Sequence, residues 1–247
     1  MFRSSIAKRV RSIRFYHAVD HPSSNLIINP GTLESTILTK SLEYVPKYGF
    51  KEDSITMAIR QLKYPDSLRS MLTGISSGKS LEYQLSLFWL KYQRQKLKNE
   101  VENSSKFQTI ENEYDRVAFL IKKRLAYNAP VINLLSQCLS QLVIPYNINQ
   151  SLEELSNLSD DIAFYSGDQS VDFSWYSKRL SLSSIYVSSE LYMLQDSSPG
   201  FVRTNEFVDD KVEKLVSLGN SYNIAEEWAF FNAISLVNLI RSQLIRG

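Results

Sequence analysis

Few residues in this chain are equipped for catalysis, and those few stand apart. Its only two histidines, His17 and His21, lie close to the N-terminus. Everything after residue 21 therefore lacks the imidazole that a Ser-His-Asp triad, a Cys-His pair or a Glu-x-x-His di-iron motif requires. The single cysteine, Cys138, sits in LLSQCLSQLV among apolar neighbours. That setting describes a buried, inert thiol, and one cysteine can form neither an internal disulfide nor a multi-cysteine zinc site. Carboxylate acid–base chemistry is open to Asp160, Asp161 and Glu190. Adjacent helical residues point about 100° apart, however, so Asp160 and Asp161 read as a solvated helix face. TGISSGKS, residues 73–80, has the look of a phosphate loop. Gly74 and Gly78 enclose three residues where the phosphate-binding pattern needs four, and the stretch follows a helix instead of a strand. An interhelical loop is the better reading. The expectation is a non-enzyme without cofactor or metal, with a lipid-modifying enzyme that uses those carboxylates as an alternative.

Recognition chemistry is better represented, between Leu158 and Asp196. Two helical patterns are broken at Ser166-Gly167-Asp168-Gln169-Ser170, where Gly followed by small polar residues ends a helix. Asp172 occupies the N-cap position of the second helix. On that helix Phe173, Tyr176, Leu180, Val187, Leu191 and Leu194 recur at helical spacing and form the expected core face. Trp175, Arg179, Leu182 and Tyr186 make a second stripe about a third of a turn away. Trp, Tyr and Arg dominate protein-binding hot spots. The competing reading buries both stripes in an all-helical domain.

These residues need a scaffold, and its class follows from composition. With 8 Gly and 7 Pro in 247 residues, long helices are favoured over many short strands. The first seventeen residues carry five cations and no acid, with Ile6, Val10 and Ile13 along one side. That pattern is expected of a mitochondrial transit peptide over 1–17. Without it the formal net charge falls from +2 to −3, leaving a mildly acidic body. Residues 18–32 read as a linker and 33–222 as one all-α domain of about ten helices. Within it, SITMAIRQL, KYPD and SLRSMLTG give a helix-turn-helix layout, with Asp53 and Asp66 as caps. The second of these helices offers only Arg69 for reading bases, so a DNA-binding regulator is supported by layout alone. Further helices are expected over Leu81–Lys98, Tyr114–Ala126, Val131–Ile144 and Phe207–Leu218, with Asn128 as a cap and residues 100–109 uninformative. The final stretch, 223–247, is an amphipathic helix about 36 Å long. Trp228, Phe231, Ile234, Leu236, Val237, Ile240, Leu244 and Ile245 are among its apolar residues, and Arg241 can reach lipid phosphates. It packs on the core or lies along a membrane surface.

DDIAFYSGDQSVDFSWYSKRL, continuing into IYVSSELYMLQDSSP, resembles the signature segment of the Coq-nine family. EYVPKYGFKEDSITMAIRQLKYP and the ending YNIAEEWAFF…VNLIRSQLIRG extend the likeness, the ending to fungal members in particular. The resemblance implies a TetR-repressor-like fold that acts on lipid and not on DNA. It implies a non-enzymatic accessory protein of ubiquinone (coenzyme Q) biosynthesis that binds isoprenoid quinone intermediates and phospholipid. Its expected place is peripheral, on the matrix face of the mitochondrial inner membrane, held there by the terminal helix. The implied partners are the di-iron demethoxyubiquinone hydroxylase, the wider coenzyme Q biosynthetic complex and a second copy of the chain. Asp172, Trp175, Tyr176 and Arg179 then become the expected hydroxylase-facing patch.

Overall fold

The computed structural model describes residues 27–75, 78–170 and 173–219. The expected transit peptide, Asp172 and the whole of 223–247, including Trp228, Phe231, Ile234, Val237, Ile240, Arg241 and Leu244, lie outside the described residues. All regular structure among the described residues is helical. In chain order it comprises α1 (Leu33–Leu42), α2 (Val45–Tyr48), α3 (Glu52–Gln61), α4 (Leu68–Ile75), α5 (Leu81–Asn103) and α6 (Ser105–Gln108). Then come α7 (Glu113–Ala126), α8 (Ile132–Leu142), α9 (Ile148–Ser166), α10 (Phe173–Met193) and α11 (Val202–Gly219).

The long helix α5 organises the domain because its two ends belong to different apolar clusters. Ser80 caps its start by accepting the Tyr83 N–H at 3.2 Å. Leu81, Leu85, Phe88 and Trp89 then pack with Ile37, Ile55, Ile59 and Leu72 of α1, α3 and α4, and with Leu135 and Cys138 of α8. Farther along, Leu97 joins Val117, Leu120 and Ile121 of α7, Ile162 of α9, Leu182 and Ile185 of α10, and Val208 of α11. Burying each such side chain contributes roughly 1.5–3 kcal/mol, so both ends of α5 are anchored.

Several expectations change on contact with tertiary structure. The polar stretch 100–109 contains α6, and Phe107 is buried in the second cluster. Asp53 stands inside the first turn of α3, whose N-cap is Lys51. Asn128 makes no capping bond. Fully buried, it accepts from Arg124 Nη1 at 3.2 Å and donates to Glu190 at 2.8 Å, so it ties α7 to α10. Cys138 is buried as expected, and burial pushes its thiol up to about 12. Lys79 of the would-be phosphate loop is engaged by the Tyr146 carbonyl and lies 3.6 Å from that ring's centroid.

The largest correction concerns α10. Leu182, Ile185, Tyr186 and Met193 are buried, so the stripe taken as secondary is the core face. The expected core face looks outward: Tyr176 is 63% exposed and Leu180 42%. Val187 and Leu191 are only partly covered. The two stripes have similar apolar content. The buried one is selected because the helices beneath it carry carboxylates that neutralise its arginine.

Candidate functional site

Gly167 takes up a left-handed conformation, φ 89°, immediately after α9. Glycine meets that geometry without a Cβ penalty, and the turn presents the next residue inward. Asp168 is consequently buried at the junction of α9 and α10. One of its oxygens accepts from Lys178 Nζ at 2.8 Å and the Ser170 N–H at 3.0 Å. The other accepts from Arg179 Nη1 at 2.9 Å and the Ser170 hydroxyl at 2.7 Å. Lys178 also meets Glu113 of α7, and Arg179 Nε donates to Asp160 of α9 at 2.6 Å. Five charged side chains from α7, α9, α10 and the connecting turn therefore form one chain of ion pairs.

Burial disfavours the Asp168 carboxylate, but hydrogen bonds from Lys178 and Ser170 outweigh it and hold its pKa below the ordinary value. Burial likewise opposes the Lys178 ammonium. Its bonds to Asp168 and Glu113 prevail and raise its pKa.

This network supports an aromatic pair. Trp175 receives the Arg179 guanidinium over its ring at 3.9 Å from the centroid, a cation–π contact. Tyr176 meets Trp175 edge-on, with ring centroids 4.7 Å apart. Trp175 is half-buried, whereas Tyr176 projects to the surface. Arg179 is 5% exposed. Of the sequence-derived patch, Trp175 and Tyr176 reach the surface, whereas Arg179 is buried beneath them against the Trp175 ring. Asp168 was missed as a site residue. Its signal was an Asp just past a helix-ending Gly, with consecutive cations about three turns downstream.

The remaining carboxylates are also structural. Asp161 is buried 3.3 Å from Arg94, which pairs with Glu154 at 2.9 Å, so Asp160 and Asp161 do not form a solvated face. Glu190 accepts the Tyr186 hydroxyl at 2.7 Å in the interior. Among the described residues, no three His, Cys, Asp or Glu side chains converge as metal ligands. Arg69, the only base-reading candidate, is 3.5 Å from Glu52.

The aromatic pair, α9–α11 and every member of the network except Glu113 fall in the part of the chain that matches a protein-family model, COQ9, over residues 148–219. Similarity to individual proteins runs much farther. The chain is 35% identical over 220 residues to the ubiquinone biosynthesis protein COQ9, mitochondrial, of Saccharomyces cerevisiae, covering 85% of this chain and 84% of that one. This chain belongs to the COQ9 family. Its Schizosaccharomyces pombe relative of the same name is 33% identical over 230 residues, covering 93% and 87%. The Homo sapiens member is 32% identical over 194 residues, covering 76% of this chain and 59% of that protein. All three relatives are named mitochondrial. No described helix of this chain is long and apolar enough to cross a membrane.

Proposed function

We propose that this COQ9-family chain is a non-enzymatic, lipid-binding accessory protein of ubiquinone biosynthesis. It works peripherally at the matrix face of the mitochondrial inner membrane and presents isoprenoid quinone intermediates to the di-iron demethoxyubiquinone hydroxylase. The observation that carries this reading is the Trp175–Tyr176 pair, placed at the surface over a buried ion-pair network in the family-matching region. Rigid aromatics bind partners at low conformational cost, and fixing Trp175 from beneath adds to that preorganisation.

Presentation answers a physical difficulty of the substrate class. An isoprenoid tail leaving the bilayer loses about 0.8 kcal/mol per exposed CH₂, so transfer to another protein requires an apolar host. The carboxylates Asp160, Asp161 and Glu190 are all committed to internal partners. On this reading the chain holds and hands over the lipid, and the hydroxylase carries out the chemistry.

Two measurements test the reading. Mass spectrometry of lipids that copurify with the mature chain should recover an isoprenoid quinone precursor, and recovery of phospholipid alone would remove the substrate assignment. Tyr176→Ala should weaken hydroxylase binding by about thirtyfold or more, the equivalent of a 2 kcal/mol hot spot. Because Tyr176 is exposed, stability should stay within about 0.5 kcal/mol. Unchanged affinity in a stably folded Tyr176→Ala protein would move the partner surface elsewhere.

A further inference from the structure

Between the two apolar clusters that α5 joins lies a layer of buried polar side chains with too few partners. Trp89, Gln93 and Leu97 succeed one another by one helical turn each and so share a face of α5. Trp89 belongs to the first cluster and Leu97 to the second, and the fully buried Gln93 lies between them. On α10 the fully buried Ser189 stands one turn from both Ile185 and Met193 of the second cluster. Helix α7 completes the layer. Lys123 pairs with Glu100 at 2.8 Å, and Lys96 lies 5.9 Å from the Tyr127 ring centroid. The two helices therefore run antiparallel, which brings Gln93 level with the turn that holds Asn128. Asn128 in turn links Arg124 to Glu190, the neighbour of Ser189. Cys138 of α8 is 4.0 Å from the Ser86 carbonyl, two turns before Gln93 on α5, and feels the charges of both Arg124 and Glu190.

Five atoms of this layer are sealed from solvent and find no hydrogen-bond partner among the described residues: Trp89 Nε1, both amide atoms of Gln93, Arg124 Nε and Ser189 Oγ. Buried polar groups are normally paired, and an unpaired one bears its whole desolvation cost. The closed packing is penalised here, and parting α5 from α7 and α10 relieves it. The chemistry of the layer defines what it would receive. Trp89, Arg124 and the Gln93 amide nitrogen offer N–H donors, whereas only Gln93 Oε1 and Ser189 Oγ accept. Glu190 already balances the Arg124 charge through Asn128. A neutral group that accepts hydrogen bonds fits this balance, and the apolar clusters on either side fit an apolar body.

We propose that this layer is a closed binding site, opened by parting α5 from α7 and α10, for a carbonyl group carried on an otherwise apolar molecule. The identity of the guest rests on the lipid-binding role proposed above, whereas the opening stands without it.

Hydrogen exchange of the full mature chain, read by mass spectrometry, tests both parts. The central turns of long buried helices normally exchange slowest. Here 89–93 and 186–190 should exchange about tenfold faster than 117–121 of α7, which corresponds to roughly 1.4 kcal/mol. Gln93→Met keeps the shape and removes the unpaired amide. It should slow exchange in both segments and raise the melting temperature by about 2–4 °C. A decyl-tailed benzoquinone should slow both segments in the wild type, and decylbenzene, which lacks the carbonyls, should not. Segments that exchange as slowly as 117–121, or destabilisation by Gln93→Met, overturn the opening. Equal protection by the two probes overturns the carbonyl assignment. Fast exchange that neither probe slows removes the site, and an isoprenoid lipid copurifying in that case keeps the lipid-binding role but places its pocket elsewhere.

Discussion

Asp168→Asn tests whether the buried carboxylate holds the α9–α10 junction together. The substitution preserves size but removes one negative charge shared by Lys178 and Arg179, and it turns an amide donor toward two cations. Removing one partner of a buried pair destabilises by about 3–5 kcal/mol. Here each cation retains another carboxylate, Glu113 for Lys178 and Asp160 for Arg179, which places the loss near 3 kcal/mol by the same measure. At roughly 2–4 °C per kcal/mol for a protein of this size, the melting temperature at pH 7 should fall by about 6–12 °C. The pH dependence is more discriminating. Asp168 titrates below its unfolded value of 3.8, so its stabilisation is present above that pH and is lost as pH falls through the lower folded value. Lys178 titrates above its unfolded value of 10.5, so its share is present below that pH and is lost as pH rises through the higher folded value. The difference in melting temperature between wild type and variant should therefore form a plateau at neutral pH that shrinks at both extremes. A pH 7 difference under about 2 °C, or one that persists undiminished in acid, would refute the assignment.

Other substitutions separate positioning from packing. Trp175→Ala should lower both hydroxylase affinity and stability, since it removes a hot-spot ring together with a cation–π contact worth about 0.5–2 kcal/mol; an altered melt with unchanged affinity would make Trp175 purely structural. Phe107→Ala should cost about 3–5 kcal/mol in chemical denaturation, and near-neutral behaviour would show that α6 does not anchor the second cluster. Asn128→Ala should cost about 1–3 kcal/mol, because Arg124 and Glu190 lose the amide that bridges them. Cys138 should resist thiol reagents at pH 8 until the chain unfolds, and rapid labelling of folded protein would contradict its burial.

What could be read from sequence was mostly local. Gly167 announced the end of α9 through its own backbone freedom, and the helical pattern located α5, α7 and α11 to within a few residues. Features requiring knowledge of a distant neighbour were misread. Asn128 carries the residue type of a cap and stands beside Pro130, yet its side chain is spent on Glu190, far along the sequence. Phe107 is an isolated apolar residue in a polar stretch, so no periodicity marks it as core. Along α10 both stripes are apolar enough to be buried. The choice falls to the one containing Arg179 because Asp160 and Asp168 await it on the adjoining helix and turn.

That choice also connects stability to recognition. A buried guanidinium is tolerated only where carboxylates surround it, and here its opposite face is covered by the Trp175 ring. Orienting the aromatic pair and neutralising the cation are therefore one structural event. The core-facing stripe must turn inward to reach its carboxylates, and the helix then directs Tyr176 and Leu180 outward. The exposed apolar surface follows from burying Arg179, so changes that disrupt the ion pairs should disturb the proposed recognition surface even where they touch none of its exposed atoms.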